Sequence, residues 1–168
     1  FTLTAARFTV AAVIFTVLAQ RLPPAERTPG RHWPLLLIMG LTGVFGFGAL
    51  YYTGLRFTTA TNATLINGAG PLVIGLLGAL LLGERFGRRA IVGAVISLTG
   101  VAMIAGGGSP QALLGQQFNV GDLLVVVAVV VWGFYSVATR QITRTCSTLS
   151  ATWLSTLCGL LLLFPAAW

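Results

Sequence analysis

Charge is what this sequence has least of. Only 8% of its 168 residues are charged, whereas an ordinary soluble domain carries about 25%, and this excludes a water-soluble fold. Lysine is absent altogether, and the only acids are Glu26, Glu84 and Asp122. None of the three lies near the centre of an apolar run, so the stretch holds no proton relay of its own. Proton coupling would fall to the boundary acids Asp122 and Glu84 or to helices outside the chain. The catalytic acids or Ser–His pair of an intramembrane protease are missing, and no glycine-rich phosphate cradle precedes a lysine. One histidine, His32, and two cysteines complete the scarce residues. Cys146 and Cys158 are 12 positions apart, roughly 18 Å along a helix, too far for a disulfide. With a single histidine in a loop, neither a zinc nor a haem site can be assembled, and no metal or cofactor is expected.

What the chain has is hydrophobicity, at 56% of residues and a mean hydropathy of +0.91. The apolar residues form six runs, near Thr2 to Gln20, Pro34 to Leu55, Ala60 to Gly83, Ala90 to Gly106, Asp122 to Thr139 and Leu149 to Trp168. About 20 apolar residues in a helix cross a hydrocarbon core of about 30 Å. A membrane barrel would instead need strictly alternating segments of about 10 residues, and LLLIMG and DLLVVVAVVVW do not alternate. The expected class is an all-α integral membrane protein, a polytopic bundle with six transmembrane helices here. The first run is too long for a secretory signal and lacks its basic start and small-residue cleavage site, so it reads as a true span. A start at Phe1 and an end inside an apolar run at Trp168 suggest a piece of a longer reading frame.

A net charge of +7 would suggest nucleic acid in a soluble protein, but the arginines occupy alternate loops. Arg21, Arg27 and Arg31 follow the first run, Arg85, Arg88 and Arg89 the third, and Arg140 and Arg144 the fifth; the opposite loops hold only Arg56. This positive-inside pattern places those three loops in the cytoplasm and the Gly106 to Gly121 loop outside. No nucleic-acid partner is expected. Phe1 is then external, which implies an odd number of helices ahead of it if the natural N-terminus is cytoplasmic, one being the simplest count. The expected location is the bacterial inner membrane, multi-pass.

The segment RLPPAERTPGRHW breaks the helix and makes a cytoplasmic linker with Trp33 as an interfacial aromatic, whereas the short turn from Arg56 to Thr59 makes the second and third runs a tight hairpin. Thr2-Leu3-Thr4-Ala5 aligns with Thr148-Leu149-Ser150-Ala151 at an offset of 146 residues, and Thr9 with Ser155. Five helices separate the copies. An odd offset makes the repeat inverted in topology, the architecture of many carriers with a site near the midplane.

Pro71 lies inside the third run and should kink or open it near Asn67 to Gly70, leaving Thr64 and Asn67 to bond either the helix's own backbone or a ligand. Gly75, Ala79 and Gly83 on that run, and Gly40, Gly43, Gly46 and Gly48 on the second, make small faces for close packing. On the fifth run Trp132, Tyr135, Ser136 and Thr139 share one face, either a cavity wall or an aromatic belt with interhelical bonds. Thr152, Ser155, Thr156 and Gly159 form a similar stripe on the sixth, read as packing. Arg7, near the outer end of the first, is either a cavity charge or a snorkelling one.

Taken in order, TLTAARF, YYTGLRFTTATNATLI, PLVIGLLGALLLGERFGRRAIVGAVISLTGVAMI and GDLLVVVAVVVWGFYSVATR resemble the EamA type of the drug/metabolite transporter superfamily. The likeness runs through nearly the whole chain and is most specific from Pro71 to Arg85, continuing to Gly93 and Gly100. It implies a ten-helix carrier of two inverted five-helix repeats, of which this chain would hold helices two to seven. Residues 1–106 would then be the last four helices of the first repeat, 107–121 an external loop, and 122–168 the first two helices of the second. Arg7, Pro71 and Glu84 fall on the family's second-helix Arg, fourth-helix Pro and closing Glu, and Glu84 with Arg85 suits a structural or gating ion pair. The resemblance implies alternating-access transport of small metabolites, amino acids or drugs, with a small-molecule substrate and the lipid bilayer as partners and a homodimer as an option. The expected substrate-binding residues are Arg7, Tyr52, Thr64, Asn67, Trp132, Tyr135 and Ser136. Two other readings stay open: a membrane-embedded enzyme on lipid-type substrates, disfavoured by the lack of central carboxylates and histidine, and a non-transporting scaffold subunit. The missing helices would complete the cavity, so the chain alone is not expected to transport.

Overall fold

The computed structural model describes residues 2–23, 30–84, 87–105 and 118–166. It places a helix on each of the six apolar runs: α1 (Thr2–Ala19), α2 (Trp33–Gly54), α3 (Ala60–Leu82), α4 (Arg88–Ala105), α5 (Val120–Ile142) and α6 (Thr148–Ala166). No strand occurs among the described residues. Three of these helices, α2, α3 and α5, are long and apolar enough to cross a membrane. Residues 24–29 of the basic linker, Arg85, and residues 106–117 of the expected external loop lie outside the described residues.

Local chemistry explains the boundaries. Pro34 sits in the first turn of α2, where its missing N–H has no helical partner to lose. Thr59 caps α3 by accepting the Asn62 N–H at 3.1 Å. The expected break in α3 falls at Ala69, whose ψ of −5° leaves the helical range, and Pro71 opens the continuing helix Gly70–Leu82. That helix ends on Gly83 at φ +65°, a left-handed cap that glycine adopts without a Cβ clash, with the Glu84 N–H closing on the Gly78 carbonyl at 3.3 Å. One feature of α2 was not foreseen from the sequence. Gly40–Gly46 is wound as a π-helix, so that the Phe47 N–H reaches back five residues to the Thr42 carbonyl. Such widened turns are frequent at functional sites.

The helices divide into two compact units, residues 1–49 with 134–168 and residues 50–133, and α2 and α5 contribute to both. In the first unit α6 packs on α1 and on the π-wound part of α2. Leu36, Met39, Ala138, Ile142 and Ala151 form its buried core. Glycine permits the approach: a Cβ built on Gly40 would stand 2.8 Å from the Gly159 nitrogen, one on Gly159 would strike Val44, and one on Gly43 would enter the Tyr135 ring. Without a strong hydrophobic drive between helices in lipid, such small-residue contacts supply the packing. The stripe on α6 follows the packing reading, since Ser155 and Thr156 are buried and both hydroxyls donate to the Thr152 carbonyl. The aligned helices α1 and α6 are neighbours, joined by the Trp153 indole N–H donating to the Thr16 hydroxyl at 3.0 Å. Trp153→Phe keeps the ring and removes that donor. A loss of about 1 kcal/mol is expected, read as a small fall in the melting temperature of the detergent-purified full-length protein.

In the second unit both halves of α3 pack on α4, with Ala63 and Ala94 buried. A Cβ on Gly68 would meet Val101 at 3.1 Å, and one on Gly133 would meet Leu77 at 2.6 Å. Val92, Ile96 and Ile104 of α4 are exposed, a face suited to lipid.

Candidate functional site

The N-terminal turn of α5 carries a buried polar group bonded to several segments of the second unit. Asn119 caps the helix, its side-chain oxygen accepting the Asp122 N–H at 3.1 Å, while Asp122 Oδ2 accepts the Asn119 N–H at 2.8 Å. This reciprocal pair is a capping box, which satisfies two helix-end donors at once. The carboxylate then does more than cap. Oδ2 also accepts from Asn62 Nδ2 at 3.1 Å, and Oδ1 accepts from the Thr58 hydroxyl. Three segments, the turn before α3, the first turn of α3 and the start of α5, thus converge on one carboxylate with no exposure to solvent.

Backbone proximity holds the convergence in place. The turn after α2 is closed by Phe57 N–H and Thr58 N–H, both donating to the Gly54 carbonyl, at 2.9 and 3.1 Å. Gly121 lies directly on that turn: a Cβ there would stand 2.6 Å from the Gly54 carbonyl oxygen, the Phe57 carbonyl carbon and the Thr58 nitrogen. Only glycine fits. Beside the carboxylate is a cavity of about 160 Å³ lined by Asn62, Leu65, Ile66, Phe118 and Asp122.

The residues singled out in the sequence are distributed more widely. Arg7, exposed on α1, Tyr135 and Ser136 belong to the first unit, and Tyr52, Thr64, Asn67 and Trp132 to the second. Tyr135 lies against Gly43, and its carbonyl accepts the Thr139 hydroxyl at 2.8 Å. Tyr52 is 43% exposed and meets Tyr51 edge to face, with ring centroids 6.0 Å apart. The Thr64 hydroxyl turns back to the Ala60 carbonyl at 2.7 Å, satisfying its own helix. Asn67 and Pro71 are exposed on either side of the α3 break, Trp132 is 36% exposed, and Glu84 is half-buried at the end of α3. Its expected partner Arg85 lies outside the described residues.

Asp122 stood in the sequence only as an acid at a span boundary. The local signal was present, because Asn-x-x-Asp ahead of an apolar run is a capping pattern. Its link to Asn62, 60 positions away, had no one-dimensional trace.

Comparison with known proteins accords with this helical architecture. The model of the EamA-like transporter family matches residues 1–106. The uncharacterised transporter YyaM of Bacillus subtilis is 29% identical over 116 residues, covering 69% of this chain and 38% of that protein. The aromatic amino acid exporter YddG of Ancylobacter novellus is 28% identical over 144 residues, covering 86% of this chain and 50% of the exporter. A solved crystal structure superposes with a TM-score of 0.74 at 28% identity, over 99% of this chain and 57% of the other. The chain therefore spans half or less of the length of these two curated relatives. With the family match running through four apolar helices and more than half of its residues, this membrane protein belongs to the EamA-like transporter family of the drug/metabolite transporter superfamily.

Proposed function

We propose that this chain forms part of a secondary carrier that moves small metabolites, amino acids or drugs across a bacterial inner membrane by alternating access. The observation that carries the reading is the similarity, across 86% of the chain, to a protein named as an aromatic amino acid exporter. In the same proposal all six helices span the bilayer, as helices two to seven of a ten-helix pair of inverted repeats that meet in the 107–121 segment. The side chains of Arg7, Tyr52, Thr64, Asn67, Trp132, Tyr135 and Ser136 contact the solute during the cycle. The broken α3 and the π-wound turn of α2 support a moving bundle, since both supply backbone that can change shape without losing a full helix of hydrogen bonds. Glu84 and Arg85 form a gating pair at the end of α3.

Counterflow in vesicles holding the full-length protein tests this, with labelled amino acids, organic cations and sugars on the two sides. One solute class should accumulate. Asn67→Ala and Tyr135→Phe are each expected to cut that flux by tenfold or more at normal expression; the second keeps the ring that packs over Gly43 and removes only the hydroxyl. Full flux in both variants would remove these residues from the solute path, and silence across the panel would remove the carrier reading itself.

A further inference from the structure

We propose that the arginine-rich end of the unit formed by residues 1–49 and 134–168 binds the headgroup of an anionic phospholipid. The binding needs no transported solute and stands apart from the carrier reading. Three observations point to it.

The first is an imbalance of charge. In the sequence of this unit Arg21, Arg27 and Arg31 lie between α1 and α2, Arg140 and Arg144 lie in and just beyond the last turn of α5, and Glu26 is the only acid. Five cations against one anion leave that end positive, whatever bonds the individual side chains make inside the protein. Arg21, Arg140 and Arg144 are exposed. A guanidinium carries five N–H donors in a fork that fits phosphate, so one that is bonded within the protein still has donors to offer.

The second is convergence. The start of α2, the end of α5 and the start of α6 share one buried core, in which Leu36 and Met39 meet Ala138, Ile142 and Ala151. At its edge the Thr145 hydroxyl donates to the Ile142 carbonyl at 3.1 Å and stands 3.4 Å from Nε2 of His32, which is 113 positions away in the chain. The end of α1 reaches the same place, because Thr16 accepts from Trp153 near the start of α6. The segments that carry Arg21, Arg140 and Arg144 therefore finish together, and the N-terminus of α6 adds the positive end of a helix dipole among them.

The third is the apolar surface that leads up to the charge. Val10, Ile14 and Val17 are exposed at the spacing of one helix face, and Arg21 follows four residues later. Trp33, 57% exposed, opens α2 ahead of the exposed Leu37 and Leu41 at the same spacing. A phospholipid has this order: acyl chains on the apolar faces, phosphate on the arginines, and the Trp33 indole at the boundary between them. Free phosphate would leave the apolar faces unused. A zwitterionic headgroup would bring an ammonium to a positive end, so the inferred preference is for a lipid with net negative charge.

The test is native mass spectrometry of the full-length protein in neutral detergent, titrated with phosphatidylglycerol or with phosphatidylcholine of the same acyl chains. Phosphatidylglycerol should be retained roughly fivefold more strongly or better. Arg21→Gln, Arg140→Gln and Arg144→Gln together should bring the two lipids to near equality. Arg88→Gln with Arg89→Gln removes like charge from the other unit and should leave the preference intact. Arg140→Lys with Arg144→Lys keeps the charge that orients the helices, loses the fork, and should weaken retention roughly twofold. Equal retention of both lipids by the wild-type protein, an undiminished preference in the glutamine triple, or an equal loss in the Arg88 and Arg89 pair each overturns the proposal. If the triple does not fold, undiminished retention in the lysine pair overturns it instead. Displacement of the lipid by millimolar inorganic phosphate would mean a small-anion site and overturns the lipid assignment. Counterflow reads the carrier separately: lipid preference without transport leaves this surface standing, and transport without lipid preference removes this surface alone.

Discussion

Gly121→Ala is expected to leave little folded protein, at a cost of about 3 kcal/mol or more, the upper end of what overpacking ordinarily does. Adding one methyl group to a helix is usually favourable, since alanine exceeds glycine in helix propensity by about 1 kcal/mol. Here the methyl has nowhere to go. Its three nearest neighbours, at 2.6 Å, are backbone atoms of Gly54, Phe57 and Thr58, which have no rotamer to change. The turn they belong to is pinned by its own bonds to the Gly54 carbonyl and by the Thr58 hydroxyl on Asp122. Relief can come only by lifting the start of α5 off the turn, which pulls the carboxylate away from Thr58 and Asn62. Gly93→Ala on α4 is the control, because a Cβ there meets nothing within 4 Å; it should be neutral or stabilising by up to about 1 kcal/mol. Thermal melting of the full-length protein in mild detergent, followed by size-exclusion chromatography, compares the two. Equal melting curves would mean that α5 does not start on this turn.

Asp122→Ala should produce the other large loss, about 2–4 kcal/mol. The substitution removes the acceptor shared by the Thr58 hydroxyl, the Asn62 amide and the Asn119 N–H. A buried donor left without a partner costs about 1–3 kcal/mol, but Thr58 and Asn119 are only half-buried, and water can reach them in part. Asn62, at 8% exposed, is the most buried of the three donors. Asp122→Asn retains an acceptor oxygen and should lose distinctly less. Hydrogen exchange locates the damage: protection should fall first at residues 58–63 and 119–123, ahead of the rest of the protein. An alanine variant with wild-type melting and exchange would show that the carboxylate carries no structural load.

The two variants bear on one junction from different sides, steric and electrostatic, and they are not independent. Residues 121 and 122 hold the same turn, so their effects should add to less than their sum.

Much of the scaffold was legible in one dimension. Six apolar runs became six helices, and Pro71 marked the break at Ala69. Helix ends moved by a few residues: the fifth run, read from Asp122 to Thr139, extends to Val120 and Ile142, because Asn119 supplies the cap and the polar residues Arg140 and Gln141 continue the helix beyond the apolar stretch. The glycines of α2 were read as a packing face, and Gly40, Gly43 and Gly159 do allow close approach. The same segment is wound as a π-helix where α6 packs on it, and glycine spacing alone carries no trace of that. Thr64 shows the converse, a polar residue open to two readings whose hydroxyl bonds its own helix.

The division follows from the range of the forces involved. Hydropathy, arginine placement, proline and capping residues act within a turn or two of the chain, so the sequence by itself determined the membrane class, the helix order and the break in α3, and its ordered motifs were enough to point to the family. Partnerships between segments depend on which faces meet after the helices pack. The meeting of Asp122 with Thr58 and Asn62, 64 and 60 positions away respectively, and of Tyr135 with Gly43, was decided only by the tertiary structure, because a buried carboxylate takes whichever donors the packed backbones bring within reach.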